Sequence, residues 1–301
     1  MLLQQIINGA VLGSIYALVA LGYTLVYGIL KLINFAHSEV FMMGAFFGLF
    51  ALQLLGGIPF FTHAPALLIL AAMVLSMALT GLLGVVLELV AYRPLRNAPR
   101  LAPLISALGM SIFLQNLMMF AAGAQSKEFP KAFQVRVFNV GSGATLSSLQ
   151  IFIMATAVIM MAALTVFILR TRAGKAMRAT SQDFETSSLM GINVNAVISL
   201  TFFIGASLGG VAGVLNGMYY GSIKYNMGFI PCIKAFTAAV LGGIGNVPGA
   251  MLGGFMLGIL ESLGAGFISS QYKDVFAFMI LILVLIFRPQ GLLGAKASDK
   301  V

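Results

Sequence analysis

Arg170 to Asn193 reads RTRAGKAMRATSQDFETSSLMGIN, a polar island in a chain that is otherwise almost wholly apolar. Arg170, Arg172, Lys175, Arg178, Asp183 and Glu185 all fall inside it, although 301 residues hold only 17 Lys+Arg and 8 Asp+Glu. Long apolar runs flank the island on both sides, so it is not a linker between soluble domains. A segment of this kind projects from a membrane into water, where another macromolecule can grip it.

The rest of the composition agrees. The chain is 60% hydrophobic and 8% charged, with a mean hydropathy of +1.03. Soluble domains carry about 25% charged residues, so a soluble fold is excluded. The expected class is all-α: one polytopic transmembrane helix bundle over residues 1–301, with no appended water-soluble domain. The 34 glycines fit, since glycine is commoner in membrane helices than in soluble ones. A net charge of +9 could signal nucleic acid, but in a membrane chain it reads as the positive-inside bias, and no nucleic-acid partner is expected. The basic residues cluster at Arg93, Arg96 and Arg100, at Arg170 to Arg178, and at Arg288, Lys296 and Lys300. These mark cytoplasmic loops and a cytoplasmic C-terminus. The lone Cys232 excludes internal disulfides and zinc-finger spacing. The first apolar run has no basic leader or A-x-A site, so it is expected to be a retained helix.

Crossing a bilayer takes about 20 apolar residues. Runs of that kind cover 4–28, 34–56, 64–91, 103–123, 150–169, 195–221 and 270–287, with a glycine-interrupted region at 231–266, giving about eight spans. Residues 124–149 form the largest external loop, and about 170–194 the cytoplasmic loop. By parity, 231–266 must leave from and return to the outer face, broken near Gly242 to Gly249. The same parity puts the N-terminus outside unless 31–56 is likewise bent. A faint internal echo, Tyr27-Gly-Ile-Leu-Lys31 against Tyr220-Gly-Ser-Ile-Lys224, favours broken or re-entrant segments at both places, as in inverted-repeat transporters.

Two glycine ladders stand out. Gly205, Gly209, Gly213 and Gly217 recur every fourth residue, and Gly245, Gly249 and Gly253 form a second set. Such stripes let helices approach closely, within the chain or between subunits; neither reading implies catalysis. Polar residues inside spans are site candidates by default. Asn34, His37 and Glu39 cap and anchor a helix start, or line a translocation path; Asn116 and Lys234 join them as pathway candidates. Lys234 could face a substrate carboxylate or sit at the outer interface. His37 and Glu39, two apart, point about 200° apart on a helix, so they form neither a catalytic dyad nor a metal site; no metal is expected. Glu88 reads as a snorkelling position beside Arg93, and Glu261 lies deeper. Gly174-Lys175 lacks the rest of a phosphate-binding loop, so this chain is expected to use no cofactor and catalyse nothing. Any energy must come from an ion gradient or another polypeptide. Arg178 to Gly191 reads as a short helix ended by glycine, either a solvated connector or a docking helix.

Glu185-Thr-Ser-Ser-Leu-Met-Gly191 resembles the E-A-A-x-x-x-G coupling loop of bacterial ATP-binding-cassette importer permeases, with Thr186 and Ser187 in place of the alanines and without the distal I-x-L-P. With LINFAHSEVFMMGA, AYRPLRNAPRLAPLISALGMSIFLQN, KAFTAAVLGGIGNVPGAMLGG and ILILVLIFRPQGLLG, the chain resembles, nearly end to end, the H-type permease of the high-affinity branched-chain amino acid importer. The resemblance implies two cytosolic ATPases that consume ATP, a second, M-type permease in a heterodimer, and a periplasmic amino acid binding protein. It makes Glu185 to Gly191, including Ser187 and Leu189, the coupling helix, with Arg178 and Asp183 pinning it. Two rivals remain: a stand-alone ion-coupled carrier or channel, and an assembly subunit with no pathway of its own.

Overall fold

The computed structural model describes residues 1–62, 64–99, 101–130, 135–141, 143–288 and 290–294. Arg100, Lys131, Lys296 and Lys300 lie outside the described residues, so the structure does not place the basic clusters' outer members.

Two long helices, α1 (Leu2–Leu30) and α9 (Val194–Tyr220), make the centre. Around them run α2 (His37–Gly56), a short α3 (Pro59–Thr62), α4 (Pro65–Leu87), α5 (Leu101–Ala122), α6 (Ser148–Arg170), α10 (Phe229–Gly242), α11 (Val247–Phe267) and α12 (Lys273–Phe287), with α7 (Arg172–Gln182) and α8 (Phe184–Leu189) between α6 and α9. Eight helices among the described residues are long and apolar enough to cross a membrane. The most apolar window of α1 is 89% buried and that of α12 only 6%, which separates core from periphery. With lipid tails as apolar as leucine, core packing here rests on close backbone approach rather than on hydrophobic burial.

That approach is visible along α1 and α9. Gly9 and Gly13 of α1 sit against the α11 backbone at Ile259 and Phe255, and Ala17 against Gly254, so α1 and α11 run antiparallel. Gly44 of α2 meets Gly210 of α9, and Gly84 of α4 meets Phe202 and Ala206. Thus α1 packs on α10 and α11, while α9 packs on α2 and α4. The two halves clasp each other by exchanging their first long helices.

The first ladder is used inside the chain: Gly205 faces Gly22, Gly209 the His37 ring, Gly213 the α2 backbone at Phe41 and Ala45, and Gly217 Phe129 and Ile223. The second is not one stripe. Gly249 and Gly253 face α10 at Gly242 and Ala238, but Gly245 lies before α11, at φ +92 in the break Gly243–Asn246. Asn246 caps α11 through Gly249 N–H (3.0 Å) and Pro248 fills its first turn, so the helix cannot start earlier.

Both breaks exist, and they differ. At 231–266, α10 and α11 form a V that turns at Gly243–Asn246, leaving and returning on one face. At 31–56 the chain is broken but does not return to its starting face. Lys31 adopts φ 54, residues 31–36 climb back beside α9, and α2 begins only at His37, level with Gly22 and Gly209. The bent alternative for 31–56 is therefore corrected: α2 continues to the opposite face. The N-terminus lies at that face too, where Gln4 Oε1 accepts from Thr145 N–H (2.8 Å). The described residues of segment 124–149 lie there and include short strands. A strand β1 (Lys127–Glu128) pairs with β4 (Ser222–Ile223), and β2 (Val137–Asn139) pairs with β3 (Thr145–Ser147).

Charge is segregated between the two ends. Among the described residues Lys31, Arg93, Arg96, Arg170, Arg172, Lys175, Arg178 and Arg288 gather at the α7 end, against Lys127, Arg136, Lys224 and Lys273 at the strand end.

Candidate functional site

The polar island folds as two helices, where the sequence pattern over 178–191 suggests one. Thr171 accepts from Gly174 N–H (3.0 Å) and donates to Phe167 C=O (2.6 Å), turning the chain sharply out of α6. A Cβ at Gly174 would lie 2.6 Å from Ile168 Cα, so this turn requires glycine. Helix α7 buries Gly174, Met177 and Thr180, with Met177 in a cluster with Val26, Ile29, Val197 and Ile198. Its basic residues face away. The split falls at Asp183, whose extended backbone (φ −155) ends α7 and whose carboxylate caps α8. Asp183 Oδ1 accepts from Glu185 N–H (2.9 Å), and Oδ2 accepts from Thr186 Oγ1 (2.5 Å). The hydroxyl at 186 thus has a capping role that the alanine of the related motif could not fill.

The far end of α8 is equally fixed. Ile192 N–H reaches Ser187 C=O (3.1 Å), Gly191 N–H reaches Ser188 C=O (3.0 Å), and Gly191 takes φ +83. This is a Schellman end, which only glycine enters without strain. Asn193 follows at once as the cap of α9, accepting from Ala196 N–H (3.1 Å). Helix α8 is therefore joined to the central helix α9 through four intervening residues with defined hydrogen bonds. Its surface is unusual: Leu189 and Met190 are 87% and 79% exposed, beside exposed Phe184 and Glu185. Ser187 is buried and belongs to the inner face, and Arg178 bonds Ile168 C=O, tying α7 to α6.

The nominated pathway residues do not form one site. Asn34 is buried and accepts from Tyr92 O–H (2.8 Å). His37 is wedged between Gly22 and Gly209 against the Tyr23 ring (4.7 Å), with no partner for Nε2 among the described residues. Glu39 points the other way, toward α5, accepting from Ser38 and Ser111 hydroxyls (both 3.2 Å). No side chain caps α2: its cap is Ala36, so the capping reading of this cluster is corrected. Asn116 is not interior either. It faces outward on α5 and donates to its own helix at Ile112 C=O (2.8 Å).

Lys234 lies inside the bundle, not at an interface. Its Nζ sits 2.7 Å from Glu261 Oε1 and 2.6 Å from Asp274 Oδ1, and 5.9 Å from the centre of the Tyr16 ring. Lys234 and Asp274 border a recess of about 490 Å³ at the strand end, also lined by Asn216, Tyr220 and Met227. A lysine already held by two carboxylates has little left for a third, which disfavours its reading as a substrate-carboxylate site.

A second buried ionic cluster was missed by the sequence reading. Glu88, which reads as a snorkelling residue, is fully buried and held by Arg93 (2.8 Å) and Arg96. Its third partner, Ser199, and Asn195, which accepts from Arg96, lie about a hundred positions away on α9, a pairing with no signal in the linear sequence.

Comparison with known proteins adds the following. Residues 5–285 match the family described as branched-chain amino acid transport system, permease component. The chain is 50% identical over 302 residues to the Pseudomonas aeruginosa high-affinity branched-chain amino acid transport system permease protein BraD, covering 99% of this chain and 98% of that one. It is 47% identical over 304 residues to the corresponding permease protein LivH of Escherichia coli K12, covering 99% and 97%. Among solved structures, PsaBC from Streptococcus pneumoniae in complex with Fab is similar at TM-score 0.46 and 15% identity, over 95% of this chain and 91% of that one.

Proposed function

The chain belongs to the permease family of branched-chain amino acid transport systems, and from that premise we propose that it carries aliphatic amino acids inward by alternating access, driven through α8 by ATPases on separate chains. The observation that carries the coupling is α8 itself. Leu189 and Met190 stand almost fully in solvent at the C-terminal end of α8, the end that leads through a hydrogen-bonded turn into the central helix α9. An apolar pair held out on so short and well-capped an element suits a cleft in a soluble partner.

In this reading the α7 end is cytoplasmic, following the basic residues gathered there, and the segment after Arg288 ends on that side. The chain is non-catalytic and needs no cofactor; ATP is bound and hydrolysed by two cytosolic subunits. A second, M-type permease completes the membrane pore as a heterodimer, and a periplasmic binding protein delivers substrate at the strand end. ATP-driven closure of the ATPases moves α8, α8 moves α9, and the bundle exchanges two packed states. The stand-alone carrier has less support: Glu261 and Glu88 are already engaged by lysine and arginine.

Co-purification followed by reconstituted uptake tests this. Glu185→Ala and Gly191→Val should abolish ATP-driven leucine uptake while membrane insertion persists. Normal uptake with normal ATPase coupling in both variants would remove α8 from the mechanism.

A further inference from the structure

The last turn of the α4 span, Glu88–Tyr92, is π-helical, a rare geometry that recurs at functional positions. Three other segments are tied to it or to the arginines that follow it. Glu88 accepts from Arg93 Nε (3.1 Å) and Nη2 (2.8 Å), from Arg96 Nη2, and from Ser199 Oγ (2.9 Å). Arg96 Nη1 reaches Asn195 Oδ1 (2.6 Å). Ser199 and Asn195 occupy the first two turns of α9, directly after the Schellman end of α8. On the opposite side, Ala91 C=O accepts from Ser106 Oγ of α5 (3.0 Å). Tyr92 donates to Asn34, in the break before α2, and its ring lies 5.1 Å from that of Phe202.

We infer that this π-turn, with Glu88 and Arg96 as its positioning residues, is the joint through which movement of α8 and the base of α9 is passed to α5 and to the start of α2. The inference rests on the reading of α8 as the coupling helix.

Three observations favour a working joint over a static brace. A fully buried carboxylate in a membrane bundle is an expensive anchor where an apolar contact would serve. The clasp also has spare and exchangeable bonds. Arg93 Nη2 contacts both Glu88 and Ser199 (each 2.8 Å), and Arg96 Nε is buried with no acceptor among the described residues. Finally, the arginine side chains are 36% and 21% exposed, so water can reach them if the ends of α4 and α9 slide past each other. A cluster with more donors than it uses can hold two arrangements.

The test uses the assembled transporter in proteoliposomes, reading ATP hydrolysed per leucine imported. Glu88→Gln should retain assembly and leave ATPase activity within about twofold, while uptake falls at least tenfold, raising the ratio. Asn195→Ala should raise it several-fold, and Asn195→Asp, which can still pair with Arg96, should restore it. If Glu88→Gln fails to assemble, the exposed Asn195 pair alone carries the test. A wild-type ratio in Asn195→Ala, or no rescue by Asn195→Asp, overturns the joint. Failure of the coupling reading looks different: the wild-type chain would bind no ATPase at all.

Discussion

Replacing Lys234 with methionine should open the strand end of the bundle, and the lone cysteine can report it. Lys234 and Glu261 side chains are 3% and 4% exposed, and Asp274 joins them at 40%. Removing the cation leaves both carboxylates without their ion-pair partner, one of them buried in the bundle, and among the described residues neither makes another ion pair. Breaking a buried pair from one side costs about 3–5 kcal/mol, and each 1.4 kcal/mol is about tenfold in an equilibrium. Cys232 lies two residues before Lys234 on the same helix and is 1% exposed. Its labelling by a thiol reagent therefore requires α10 to come away from its neighbours. In detergent, under conditions where reclosing outpaces labelling, Lys234→Met should speed labelling by roughly a hundred- to several-thousandfold. The double variant Lys234→Met, Glu261→Met should recover most of the loss, since a well-packed apolar pair often matches a buried ionic one. Labelling within twofold of wild type in the single variant, or no recovery in the double, would show that the triad does not hold this end together.

Other expectations follow from equally local features. Gly213→Val should prevent α2 and α9 from meeting, because its Cβ would press on the α2 backbone; overpacking of about 1–3 kcal/mol or more should appear as a lowered unfolding midpoint in detergent. Gly191→Val forces a β-branched residue to φ +83 and should cost about 1–3 kcal/mol locally, loosening α8 without exposing Cys232. Leu189→Ser with Met190→Ser removes the exposed apolar pair, so ATPase recovery on co-purification should drop at least tenfold while thiol labelling of Cys232 stays unchanged.

Much of the fold is readable from the sequence because hydropathy is nearly a one-dimensional property in membranes. Each apolar run became a helix, and the glycine-interrupted run at 231–266 became two, α10 and α11, broken at Gly243–Asn246. What could not be read are features decided by side chains meeting across the bundle. Nothing around Glu88 announces Ser199 or Asn195, since ionic partners from different helices leave no local periodicity. Lys234, Glu261 and Asp274 were each conspicuous or unremarkable alone, and only the fold brings them together. Asn116 illustrates the converse. A polar residue in an apolar run looks interior, but a side chain can turn back and bond its own helix. The split of the polar island at Asp183 was legible in principle, since aspartate one residue before a helix start is a strong cap; the continuous polar pattern masked it.

The most direct test of the account places a cysteine at Leu189 in a chain whose Cys232 is changed to serine, and asks what it touches. In membranes containing the whole transporter, a bifunctional thiol reagent should join position 189 to a cytosolic ATPase subunit, and the yield should change when ATP is bound. ATP-driven leucine uptake by this complex, with no cross-link from position 189 to any ATPase in either nucleotide state, would contradict the claim that ATP energy enters through α8.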